Sequence, residues 1–408
     1  MELASMVEQI IMRSEAQSLK NIDIEHIEPV VGKSFPEQVQ SCIEQLTDFI
    51  FPEGEARYFV TQQTFFIAAS SRNEYDERSA IIREQLSTAC GTHLPATSIV
   101  AQSPICGNDV VLELICARAS AGIEVHYKSL SGLNYTIVEQ DGFKTVHAEG
   151  LTGIQGESIL ESSERAFEIA MQILQEEGLS IHHIIRQWNY IENIAQVKGI
   201  AKEHQNYQVF NDVRSRYYDK GTFDNGFPAA TGIGMTTGGV IIGFIALSPS
   251  HQVSVKPIQN PGQIDAHRYS ELVLKGTAAE GIKKKCTPKF ERAKLVSIGS
   301  SHYIYVSGTA SILGEKTVHV GDVENQTLTT IDNIFQLFSI ENQESLGLDF
   351  DVSQIRFSHL RAYVKYNKDI PIVKEVCESK LNSNSSLFLI SDICREDLLV
   401  EIEGVFTI

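Results

Sequence analysis

The sequence predicts an α+β chain made mainly of one unit used twice, and three observations predict it. Segments with a helical apolar period and segments with a strand period are interleaved along the chain. The order helix, strand, helix, β pair runs over residues 164–247 and recurs over 322–408. Strand-like runs at 122–150 and 293–310 precede the two copies in turn. Each copy therefore reads as a mixed sheet with two helices on one face, residues 121–250 for the first and 291–408 for the second. Residues 1–120 read as a divergent, strand-rich N-terminal portion. Residues 251–290, with Pro257, Pro261 and Pro288, read as a linker.

In chain order, Met6, Ile10 and Ile11 give the first segment an amphipathic helical pattern, an arm on the body. A helix over 37–49 and a charged one over 76–87 alternate with the strand-like runs ARYFVTQQTFFIAAS and DVVLELICARA. Between 122 and 150, Asp141-Gly142 marks a tight turn between two strands. The helix over 164–177 turns Ala166, Phe167, Ala170, Ile173 and Leu174 inward, with Gly178 placed to end it. The strand HIIRQWNYIENI, a helix over 206–218 and the pair PAATGIGMTTGGVIIGFIAL complete the first copy. ATGIGMTTGG reads as a hairpin, because it lacks the Lys-Ser/Thr of a phosphate loop and precedes a strand. In the second copy Asp322 caps a helix reaching Phe338, IRFSHLRAYVKY is the strand, and Pro371 opens a helix to residue 381. Arg186-x-Trp188 in one copy matches Arg361-x-Tyr363 in the other.

Charge and composition narrow the function. With 34 basic and 52 acidic residues the net charge is −18, which argues against nucleic acid or an anionic membrane as partner. A small anionic substrate meets only its own pocket and stays open. No apolar run approaches the ~20 residues that span a bilayer, and the N-terminus lacks a leader pattern. Seven cysteines at irregular spacing make no disulfide framework, and the lysine run at 283–285 reads as solvated linker. No CxxC or HExxH occurs, and His182 and His183 would face opposite ways on a strand. The expectation is a reduced, cytoplasmic protein without metal or cofactor.

The chemistry is sought at residues 385–408. In VEIEGV a period of two places Glu401 and Glu403 on one face and Val400, Ile402 and Gly404 on the other. If that face is dry, desolvation and mutual repulsion keep one carboxyl protonated near neutrality, which makes a general acid. The same pattern also fits an edge strand with a solvated polar face.

SGTASILGEKTVHVGDVENQTLTTIDNIFQLF, RAYVKY and the terminal LLVEIEGV together resemble the reactive-intermediate deaminase (YjgF-type) fold. The carboxylate-binding Arg that such enzymes carry on the penultimate strand is missing from SSLFLI, and Ala230 stands in its place in the first copy. Ordinary imine deamination is therefore not implied. With RQWNYIENI, NYQVFNDVRSRYY, FPAATGIG and ICREDLLVEIEG in this order, the chain resembles a chorismatase from about residue 122 onward. The resemblance implies two tandem YjgF/chorismate-mutase-like domains, chorismate as substrate and release of pyruvate. It puts the acid on Glu401. Gly308 and Cys394 fall where the aromatising branch has Gly and Cys, which implies 3-hydroxybenzoate as product. Chorismate is a dianion, and Tyr207, Arg214 and Tyr217 on one helix, with Arg361 and Tyr363 on the central strand, are the candidate clamps for its carboxylates. The bare fold is usually trimeric, and two copies plus the N-terminal portion in one chain imply a monomer. The alternatives are hydrolysis to a dihydroxycyclohexadiene carboxylate, or a small-carboxylate-binding protein without catalysis, suggested by the missing Arg.

Overall fold

The unit that the sequence repeats twice is present three times in the fold. The computed structural model describes residues 22–407 except 53–54, 92, 106, 121, 199–203, 220–221, 277–284, 300, 350–356, 382 and 384. The segment around Met6, Ile10 and Ile11, and residues 283 and 284 of the lysine run, lie outside the described residues. The first unit comprises β1 (Ile22–Ile27), α1 (Phe35–Ile50), β2 (Tyr58–Ile67), α2 (Arg72–Cys90), β3 (Ala96–Val100) and β4 (Val110–Arg118). The second comprises β5 (Glu124–Leu130), β6 (Leu133–Gln140), β7 (Phe143–Thr152), α3 (Ile159–Glu176), β8 (Ile184–Glu192), α4 (Asn206–Tyr218), β9 (Ala229–Met235) and β10 (Val240–Leu247). The third comprises β11 (Val253–Ile258), β12 (Ala293–Ile298), β13 (Ser301–Ala310), α5 (Val323–Gln336), α6 (Ile340–Leu346), β14 (Phe357–Val364), α7 (Ile370–Lys380), β15 (Ser386–Ile390) and β16 (Val400–Thr407).

Local signals account for the element ends. Ser158 and Glu161 form a reciprocal capping box at the start of α3, and the Asp322 carboxylate accepts the Asn325 amide at 3.1 Å to open α5. Asp141 and Gly142, both at positive φ, make the tight turn between β6 and β7 that the sequence predicts.

Each unit has one central strand, β2, β8 or β14. It pairs parallel with the strand that follows the next helix in the chain (α2, α4 or α7) and antiparallel with the unit's last strand. The sheet orders are β1-β4-β2-β3, β9-β8-β10-β7-β6-β5 and β11-β12-β13-β16-β14-β15, the last extended by Ser103–Pro104 of the first unit. The closing β pairs are therefore not hairpins: the central strand lies between their members. Gly238 and Gly239 turn the chain over the end of β8, where the Glu192 carboxylate accepts both amides at 3.0 and 2.9 Å. Turn residues signal a reversal without fixing which strand becomes the partner. The presumed linker also changes, because it opens with β11, paired antiparallel to β12.

A bulge in each central strand fixes the alignment of the units. Thr61, Ile185 and Ser358 are the extra residues, opposite the ladder steps Cys116/Ile115, Ala246/Ile245 and Phe406/Val405. Gln62, Arg186 and His359 are thus equivalent, as are Thr64, Trp188 and Arg361, and Phe66, Tyr190 and Tyr363. The match of Arg186-x-Trp188 to Arg361-x-Tyr363 is two residues out, since an Arg-x-aromatic pattern says nothing about where the bulge falls.

Alternate residues of the central strands face two environments. Val400, Ile402, Leu360 and Ala362 pack under the helices of the third unit with Ile331, Ile334 and Val373, and the second unit repeats the arrangement. The other faces meet at the centre of the molecule, where the units hold each other in a cycle. Gln62 donates to Glu149 of the second unit at 2.7 Å, Arg186 pairs with Glu403 of the third, and His359 bonds Glu113 of the first at 2.7 Å. A Cβ at Gly243 would overlap the Glu149 carboxylate, so glycine there admits the side chain from β7.

Arg361 lies within this cycle, paired with Glu113 and, at 2.9 Å, with Glu403. Burial works against the Glu113 anion, but Arg361 and His359 together outweigh it and hold the carboxyl well below the usual range. Replacing Arg361 with Met leaves Glu113 and Glu403 short of a buried cation. The expected cost is about 3–5 kcal/mol, read as a lower urea midpoint at neutral pH.

Candidate active site

A cleft of about 720 Å³, its mouth included, opens between the second and third units. Its floor is β16, where Glu401 stands opposite Ala310 of β13 and Tyr363 of β14. Glu401 is only 3% exposed. Burial first, then the negative charge of Glu403, pushes its carboxyl up to about 8, against the pull of Arg186 and Arg292. Glu403, two residues on, meets the same burial, yet Arg186 and Arg361 hold it below the usual range. Two carboxyls on one strand face are thus driven apart, one neutral and one ionised at pH 7.

Backbone of β13 presses on the neutral carboxyl. Gly308 sits in a bulge of β13, and a Cβ there would overlap Glu401 Oε1. The Gly308 amide donates to Thr231 Oγ1 of β9 at 3.1 Å. That hydroxyl also accepts from Arg186 at 2.8 Å and donates its proton to Glu403. One threonine therefore ties the glycine, the ionised glutamate and its cation together.

The second unit supplies one wall. Tyr207, at the start of α4, packs against the bare backbone of Gly232, where a Cβ would come within 2.9 Å of its ring. Arg214 lies behind Tyr207, close enough for its charge to act on that phenol. Its Nη2 donates to Asn211 Oδ1 at 2.5 Å, while its buried Nε has no partner. The turn before β16 supplies Cys394, and the Gly234 amide holds that turn by donating to the Asp392 carbonyl at 2.8 Å. Burial pushes the Cys394 thiol up to about 12, so it is a neutral thiol and not a nucleophile.

The stretch expected to be a linker forms much of the opposite wall, through Tyr269, Leu274, Lys275, Pro288 and Phe290. Arg292, immediately before β12, donates to the Ile264 carbonyl at 2.6 Å and the Tyr269 hydroxyl at 2.7 Å, and its buried Nε has no partner. Arg395 donates to the Glu315 carbonyl at 2.9 Å and lies over the Tyr269 ring. Among the described residues the cleft thus combines one neutral acid with two guanidiniums, one ammonium and a mainly apolar lining, a fit for a small anion carrying a ring.

Glu401, Gly308, Cys394 and Tyr207 converge on this cleft, with Arg214 behind Tyr207. Tyr217 does not join them: it stacks on Phe167 and donates to the Glu164 carbonyl at 3.2 Å. At about 100° per residue it lies roughly 80° around α4 from Tyr207, toward α3. Arg361 and Tyr363 also stay out of the cleft, since both bond Glu403 in the molecular centre. Tyr269, Lys275, Arg292 and Thr231 escaped the sequence reading. None carried a distinct signal: even Arg292, at the head of a strand run, is one of three cations there with Lys289 and Lys294.

Comparison with known proteins follows the same lines. Residues 123–246 match the family model described as Chorismatase FkbO/Hyg5-like, N-terminal. A 3-hydroxybenzoate synthase of Streptomyces hygroscopicus is 31% identical over 251 residues, 60% of this chain and 69% of that protein. A chorismatase of the same species is 34% identical over 224 residues, 54% of this chain and 61% of that protein. The crystal structure of a chorismatase superposes with a TM-score of 0.66 at 23% identity, covering 95% of this chain and 99% of that one. The three-sheet α+β architecture is therefore shared.

Infrared titration in the carboxyl region is expected to show one group near 7, Glu149, and one near 8, Glu401. Glu401→Gln removes only the upper one; an unchanged pair of titrations contradicts the assignment.

Proposed function

This chain belongs to the FkbO/Hyg5-like chorismatase family, and from that premise we propose that it converts chorismate to 3-hydroxybenzoate and pyruvate in the cleft floored by Glu401. The observation that carries the reading is a buried, neutral carboxyl facing a space whose other charged side chains are cationic. Glu401 gives its proton to the enolpyruvyl CH₂ and positive charge builds on the ether carbon. The ring C–O bond then breaks, its electron pair going to the oxygen that becomes pyruvate's keto group. The neighbouring ring hydroxyl oxygen moves to the vacated carbon, and one ring hydrogen leaves as the proton that restores Glu401. The transferred hydrogen ends in the pyruvate methyl group. Chorismate has the same composition as the two products together, so aromatisation consumes no water, whereas hydrolysis adds one.

Arg292 and Arg395 clamp the substrate carboxylates, with Lys275 adding positive charge at the cleft. Tyr207 lines the cleft with the Arg214 guanidinium behind it, and its O–H donates to the substrate. Arg214 thus acts through Tyr207. Gly308 gives the ring room next to the acid, and Cys394 fills the place where a more polar side chain would hold water. Both features favour the aromatic product over the dihydrodiol. Ala230 lines the cleft where deaminases of the related fold place an arginine, so the carboxylate clamp is carried by the opposite wall. Three interlocked units within one chain support a monomer. No helix among the described residues is long and apolar enough to cross a membrane.

Incubation with chorismate, followed by separation of the products, tests the reading. The expected products are 3-hydroxybenzoate and pyruvate in equal amounts. A dihydrodiol as the sole ring product moves the chain to hydrolysis, and binding of chorismate without pyruvate release makes it a carboxylate-binding protein. Glu401→Gln is expected to lower kcat by about 10²–10⁴-fold with little change in KM. Cys394→Ala is expected to raise the dihydrodiol share, read from the same chromatogram.

A further inference from the structure

The cleft beside Glu401 has a counterpart at the interface between the first and second units. In β7 the bulge at Glu149–Gly150 corresponds to Ser307–Gly308 in β13, because Ile241 pairs with Thr152 as Glu401 pairs with Ala310. Gly150, Thr152 and Ile241 line a space of about 920 Å³, its mouth included, as Gly308, Ala310 and Glu401 line theirs. The facing strand is β3, the equivalent of β9, and the helix is α2, the equivalent of α4. Alignment through the three strand bulges, rather than any similarity of side chains, establishes the correspondence.

The chemistry of this second cleft differs from the first in two respects. Ile241 occupies the place of the acid, and the Glu149 carboxyl is turned inward to Gln62 and Ser98. No carboxylate is therefore among its lining residues, and none is placed to protonate a ligand. Its lone charged lining residue is Arg83 of α2, close enough to Tyr75 to influence that phenol. The rest of the lining sets apolar Ile99, Leu133 and Ile241 beside polar Ser87, Thr97 and Asn134, with the Tyr75 hydroxyl already committed to the Ile99 carbonyl at 2.8 Å. The exposed Arg83 guanidinium at a mainly apolar chamber with a few neutral polar groups fits one negative charge on one flat ring.

We propose that the cleft between the first and second units binds a small monocyclic aromatic monocarboxylate and leaves it unchanged. The inference does not rest on the reaction assigned to the other cleft.

Calorimetric titration of the full chain with benzoate tests it. Arg83→Glu, which puts a repelling charge at the cleft, and Leu133→Trp, which fills it, are each expected to weaken a benzoate-binding event by at least about tenfold. Melting temperature and pyruvate release from chorismate stay at wild-type values in both. Identical isotherms for the three chains overturn the proposal. So does a loss of benzoate binding that is accompanied by loss of pyruvate release, since that places benzoate in the Glu401 cleft. Benzyl alcohol, the neutral analogue, is expected to bind at least about tenfold more weakly than benzoate; equal binding overturns the role given to Arg83.

Discussion

Arg361, held between Glu113 of the first unit and Glu403 of its own, is the interaction on which the rest of the molecule depends. Three sheets meet there with their helices outside, so the polar faces of the central strands are shut away from water. Ions so buried are tolerable only when paired and hydrogen-bonded on every side. Here each carboxylate has several donors: Glu403 receives bonds from Arg361, Tyr363, Trp188, Thr231 and Arg186. The cycle of Gln62, Arg186 and His359 reaching into the next unit closes the structure on itself within one chain.

The same construction creates the reactive group. Glu403 keeps its charge because two arginines attend it, and that fixed charge, added to burial, disfavours ionisation of Glu401 two residues away. The neutral acid is thus a by-product of the charged centre, delivered to the cleft by the alternation of a single strand. Threonine 231 and Gly308 set the spacing, the first by bridging the units and the second by lacking a side chain. The three units share one backbone plan, yet the positions equivalent to Glu401 are Val111 and Ile241. One interface therefore carries an acid where its neighbour has an apolar floor.

Much of this was legible in the residues. VEIEGV announced two faces by its period, and Asp141-Gly142 announced its turn, because both signals are local. The helix spans were readable from apolar spacing and caps. The third copy was not, since only the bulges and pairings of β2 and β4 reveal it: Gln62 and Thr64 share no side chains with their counterparts, although Glu113 matches Glu403. Arg361 looked like a ligand clamp because an arginine in an apolar strand asks for an anion, and its partner Glu113 lies 248 residues away. The wall carrying Tyr269 and Lys275 has no period at all, so nothing before folding distinguished it from a spacer.

The most direct measurement is the pH dependence of kcat/KM for pyruvate release from chorismate. If Glu401 donates the first proton, kcat/KM is constant through neutrality and falls as pH rises through about 8, where the free carboxyl loses its proton. A rate that climbs as a carboxyl ionises between about pH 4 and 5 and stays flat beyond pH 9 would show that the group acts as an anion, and would contradict the account.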